Sequence, residues 1–189
     1  LPPAAQMLPT ANRVPNGIVL HPKDVLGWTG TGPGAIGFYK DGDRRWRVLA
    51  IVKDDADQAK DAFKTIKAKP GTLPIASMGD EAAHVVLPTG DDRSSAPKVE
   101  MLVVRKGNQI WGVGDEEYAL RAATGADREK ARLTKDEAIA KVKPLLAVPA
   151  PPPSGAPAAP GSGEPKPKGS AAPSVTPSAP KAPPPPPLG

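Results

Sequence analysis

Apolar positions recur along the chain with two periods, and these predict its elements. Residues 35–40 and 44–53 are apolar-rich runs joined at Asp41-Gly42, a pair suited to a tight turn, so they predict a β-hairpin. In the second run Trp46, Val48, Ala50 and Val52 share one face, while Arg45, Arg47, Leu49, Ile51 and Lys53 share the other. The period then changes to 3.6. Ala59, Ala62, Phe63 and Ile66 form a stripe behind Asp55, a helix cap with Gln58 three residues on, and Pro70-Gly71 stops the run. Lys64, Lys67 and Lys69 suit the negative end of that helix. Its stripe is expected on the Trp46 and Val48 face of the hairpin.

Three more strands are predicted at residues 81–87, 99–105 and 109–113, the last two joined at Gly107-Asn108. A polar loop, 89–96, separates the first two. Two helices follow. Asp115 is read as the cap of one that runs through Tyr118, Leu120 and Ala123 to Gly125. Thr134 with Glu137 makes a capping box for the other, which carries Ala138, Ile139, Val142, Leu145 and Leu146 and is frayed by Pro144. The order β-β-α-β-β-β-α-α predicts an α+β domain, an antiparallel sheet of four to five strands with helices packed on one face. No internal repeat is read from these residues. Residues 1–34, punctuated by Pro and Gly, read as an irregular lead-in packing on the domain, with one short strand at Ile18-Val19-Leu20. Val25, Leu26 and Trp28 are expected to pack back onto the core.

Composition changes the picture at the C-terminal end. The chain has 189 residues and 27 prolines, and 16 of these lie from Pro149 onward among Ala, Ser and Gly. A segment with so little to bury is expected to be disordered, which gives an α+β domain at 35–148 and a Pro/Ala-rich tail at 149–189. The tail reads as an extended spacer or tether in preference to a P-x-x-P ligand at Pro180-Lys181-Ala182-Pro183. The chain carries no cysteine, which rules out disulfides and Cys-ligated metal. No apolar run is long enough for a transmembrane helix.

The net charge of +5 is spread among mixed signs. Only Arg44, Arg45 and Arg47 cluster, so no nucleic-acid partner is expected. The chain opens at Leu1 without an initiator Met, which reads as processing or fragmentation. With the cysteine-free composition and the tail, it leads to the expectation of an extracytoplasmic location, in the periplasm, cell envelope or secreted.

Candidate chemistry adds little. Gly32, Gly34 and Gly37 match G-x-G-x-x-G, but they precede a strand and not a helix, so the segment reads as an entry loop. The groups Asp41/Asp43, Asp54/Asp55/Asp57 and Asp91/Asp92 lack calcium-loop spacing, and His21 and His84 are too few for a zinc site. Ser77, Ser94 and Ser95 sit in no nucleophile elbow, and Asp80 and Glu81, as neighbours on a strand, are expected to face opposite ways. No catalytic residue, metal ligand or cofactor is assigned. The candidate binding surface is Trp28, a Gly-flanked loop residue, together with Arg45 and Arg47; core packing is the commoner fate of such a Trp. The reading is a non-catalytic extracytoplasmic binding or structural domain, its partner an envelope component or protein met through the domain or the tail. The alternatives are a hydrolase-type enzyme with an unrecognised site, and a scaffold whose Pro-rich tail recruits a partner.

Asp41-Gly-Asp-Arg-Arg-Trp46-Arg-Val, the helix at 55–69, Met78-Gly79-Asp80-Glu81-Ala82, and the stretch from Arg105-Lys-Gly107 to Val113-Gly114 resemble an uncharacterised bacterial family of secreted or envelope proteins. The resemblance covers residues 8–147 and is to the second of two related halves. It implies an envelope location and a fragment or half-length relative, and it supplies no catalytic residue.

Overall fold

The computed structural model describes residues 1–87 and 97–151. The expected loop at 89–96 and nearly all of the expected tail lie outside these. Among the described residues, β1 (Arg13–His21), β2 (Gly34–Asp41), β3 (Arg44–Val52), β4 (Leu73–Ile75), β5 (Glu81–Leu87), β6 (Val99–Lys106) and β7 (Gln109–Asp115) form one antiparallel sheet in the order β1-β2-β3-β7-β6-β5-β4. The α+β class and the antiparallel sheet agree with the sequence reading. The strand number does not: seven replace four to five. β1 is nine residues long where a three-residue strand was expected, and β4 was not expected at all. The prolines that argued against strand structure there stand at edges, where a missing ladder hydrogen bond is tolerated.

Helices cover both faces, not one. On one face α2 (Ala56–Lys67) lays Ala59, Ala62, Phe63 and Ile66 over Leu49, Ile51, Val85, Met101, Val103 and Ile110. On the other, α1 (Pro3–Gln6) and α5 (Lys135–Val142) pack with Leu8 and Leu145 against Tyr39, Trp46, Val48, Leu102, Trp111 and Val113. The stripe of α2 therefore meets the Leu49/Ile51 face and not the Trp46/Val48 face. β3 is apolar on both sides, so its alternation cannot say which side receives which helix.

Local signals that rest on one side chain and one backbone amide hold. Asp55 caps α2 by accepting from the Gln58 N–H at 2.8 Å. Thr134 and Glu137 form the capping box of α5, and Pro144 falls in the 3-10 turn that continues it. Asp115 is a correction: it ends β7 instead of capping a helix. Beyond it α3 (Glu117–Ala122) is followed by an unexpected α4 (Gly125–Ala131). Val25 and Trp28 are buried and Leu26 packs beside them, as expected.

The sheet also holds a repeat that the sequence reading missed. Gly42, Trp46 and Val48 have counterparts, at one constant offset, in Gly107, Trp111 and Val113. Both hairpins turn on two residues, Gly42-Asp43 and Gly107-Asn108, with each glycine at φ 57°, where a side chain would be strained. Val48 lies directly opposite Val113 in the β3–β7 pair, so a local two-fold relates the hairpins. It places β1 in correspondence with β5. β5 carries β4 on its outer side, and β1 ends the sheet.

Candidate functional site

The sequence-predicted surface residues lie in different settings. Trp28 is buried in the α2 core, with the Lys69 ammonium 5.9 Å from its ring centre, so it does not line an open surface. Its carbonyl accepts from the Thr31 hydroxyl at 2.7 Å, which ties the glycine-rich loop down. Arg45 and Arg47 project together from β3, on the α2 face near α3. Arg45 pairs with Glu116 at 3.4 Å. Arg47 is only 9 % exposed, and its Nε has no hydrogen-bond partner. Burial lowers the Arg47 pKa, while Glu117, Asp115 and Glu116 oppose that shift. An anion approaching Arg47 on that face would meet Glu116 and Glu117, while Asp115 stands on the opposite face of the sheet, so the pair is a poor anion site.

Asp80 and Glu81 are brought together, against expectation. Asp80 precedes β5, so strand alternation does not apply to it, and both carboxylates reach Arg105, at 3.1 and 3.0 Å. Lys67 also pairs with Glu81, and these bonds hold the Glu81 pKa below its usual value. The two acids are bound to cations on the rim of the sheet and do not form an acid–base pair. His84 faces Glu100 at 3.3 Å.

An apolar concavity among the described residues was not found from the sequence. It is a cleft of about 320 Å³ where α1 meets the ends of β1, β2 and β3. Pro2, Pro3, Pro22 and Pro33 give it stiff walls, Leu20 and Val52 add apolar surface, and His21, Lys53 and Asp54 complete its lining. Its parts come from four places in the sequence, so no local motif marks it. No serine is among its lining residues, so it offers no serine–histidine pair. Lys53 is anchored through its backbone, its N–H donating to the Asn108 carbonyl at 2.9 Å and its carbonyl accepting from the Asn108 amide at 2.8 Å. Burial lowers the Lys53 pKa, and Asp24 and Asp54 oppose this. The ammonium itself lies against Gly32, where an added Cβ would clash with the Lys53 Nζ, and Gly32 is not part of the cleft lining. A small volume and apolar walls suit a binding pocket for one apolar side chain or a small molecule.

In the related half the corresponding positions are closed. Ala35 and Ala50 pair beside the cleft end of the sheet, and their counterparts are Glu100 and Asp115. Asp115 accepts from the Glu100 N–H at 3.2 Å and the Leu133 N–H at 2.8 Å, with Arg132 at 3.3 Å. These bonds hold the start of α5 down and leave a recess of about 110 Å³.

No helix among the described residues is long and apolar enough to cross a membrane. Among those residues no group of His, Asp and Glu is placed to hold a metal ion. Comparison with protein-family models, with curated proteins and with solved structures returned no match, and the sequence resemblance to an envelope family gains no support there.

Proposed function

We propose that the chain is an extracytoplasmic binding domain whose cleft between α1 and the ends of β1–β3 takes its ligand, with the Pro/Ala-rich tail acting as a spacer. The cleft is the observation that carries this reading: a preformed apolar concavity walled by prolines, Leu20 and Val52. The cysteine-free composition and the make-up of the tail support the location.

The test is co-sedimentation with isolated bacterial cell envelopes of the full chain, a chain ending at Pro151, and Pro33→Trp, which fills the cleft from its exposed rim. Ending at Pro151 keeps the bonds from Lys106 to the Leu146 carbonyl and from Gln109 to the Val148 carbonyl. The full and shortened chains are expected in the pellet and Pro33→Trp in the supernatant. If only the full-length chain pellets, attachment belongs to the tail and the binding role of the domain falls.

A further inference from the structure

We propose that the free edge of β1 takes a short, extended, apolar peptide as an eighth strand, with one of its side chains lying on Leu20 and filling the adjoining cleft. This rests on the binding reading above and names its ligand class.

The two edges of the sheet differ. β4 spans three residues with Pro74 in the middle, which has no N–H to offer a further strand. β1 runs in unbroken register with β2 from Ile18 to His21, and no charge or proline guards that stretch. Natural sheets blunt their edges with charges, prolines or bulges. Here the irregularity between Arg13 and Ile18, and Pro22 beyond, stop only the two ends of the open stretch. Val19 and Leu20 are 46 % and 44 % exposed, and they point to opposite faces, as a row awaiting a neighbouring strand would. Leu20 also forms a wall of the cleft.

The repeat shows what fits beside such a strand. β5, the counterpart of β1, is covered by Leu73-Pro74-Ile75, paired antiparallel to His84-Ala83-Ala82. Among the described residues no strand covers the equivalent side of β1, and the occupant that β4 illustrates is short, extended and apolar. A second copy of the chain suits the edge less well. The stretch from Ile18 to His21 with two half-exposed side chains falls short of the roughly 800 Å² per partner that a stable protein pair buries. A peptide needs only ladder hydrogen bonds for affinity and a pocket for selectivity.

The experiment selects peptides from a displayed library of random heptapeptides on the immobilised full chain. The best one, synthesised, is titrated against the wild type, Val19→Lys, Leu20→Asp, Pro33→Trp and, at the opposite edge, Leu73→Lys. All four substitutions fall on exposed positions, and thermal melts check that each variant folds. The expected result is a peptide with apolar residues at alternate positions whose affinity drops at least tenfold in Val19→Lys and Leu20→Asp and is unchanged in Leu73→Lys. On binding, the backbone amides from Ile18 to His21 should gain protection from hydrogen exchange. Failure to enrich any peptide, or binding indifferent to both β1 substitutions, overturns the proposal. Binding lost in Pro33→Trp alone would keep the cleft as a ligand site and reject strand addition. Sedimentation showing a dimer that Val19→Lys dissolves would assign the edge to a second copy and equally overturn it.

Discussion

Asp115 shows how much one side chain can hold in place. Its carboxylate accepts from two backbone amides in different parts of the chain and lies beside Arg132. Asp115→Ala leaves the Glu100 and Leu133 N–H groups without that acceptor, and a loss of about 2–4 kcal/mol is expected in urea unfolding. Burial raises the Asp115 pKa above its ordinary 3.8, against the lowering effect of those bonds. The folded chain thus holds this proton more tightly than the unfolded chain, so the Asp115 contribution to stability falls as pH rises from about 4 through the raised value. Asp115→Asn has no such proton, and its stability relative to the wild type should climb across that window in urea titrations at stepped pH. Arg47 makes a different case, because its Nε already lacks a partner. Arg47→Met, of similar length, should leave stability within about 1 kcal/mol of the wild type or raise it, as replacement of an imperfectly paired buried charge often does. The caps at Asp55 and Thr134 were legible in the sequence because each involves residues three apart. The role of Asp115 was not, because its partners, Glu100 and Leu133, are set by the fold.

Among the elements, the two hairpins invite a paired experiment. At Gly42 and at Gly107 an added Cβ would meet open space, so an alanine there suffers only from the positive φ. Gly42→Ala and Gly107→Ala should each cost about 1 kcal/mol, and by nearly the same amount, in chemical denaturation. Gly114→Ala should cost more, about 3 kcal/mol or above, because its Cβ would run into the Glu100 carbonyl oxygen and the Met101 backbone within the sheet. The hairpins were readable from period-two runs and turn residues. The repeat that relates them was hidden because little beyond the turn glycine, the Trp and the Val is shared, and three matches of common residue types do not stand out from chance. β1 was underestimated because Pro15, Gly17 and Pro22 read as breakers, although an edge strand with an irregularity accommodates them. The cleft was illegible for a related reason: Pro2, Leu20, Pro33 and Lys53 become neighbours only when α1, β1, β2 and β3 come together.

For the whole molecule, the seam between β3 and β7 sets how the chain divides. Residues 1–71 supply β1, β2, β3 and α2, and the remainder supplies β4 to β7 with α3 to α5. α2, however, packs on β5, β6 and β7, so each part lacks apolar cover that the other provides. Fragments 1–71 and 72–189 should each lack a cooperative thermal transition alone and regain one when mixed, as followed by circular dichroism. Folding of either fragment by itself would show that the two-fold marks two independent units. The inequality of the two rims has its own consequence. Growth of a filament by edge-to-edge addition requires every incoming molecule to bring two competent ends, one to join and one to offer. With Pro74 sealing one rim, any union through the other is terminal: it stops at a single partner, and the open strand can be used for recognition without seeding a fibre.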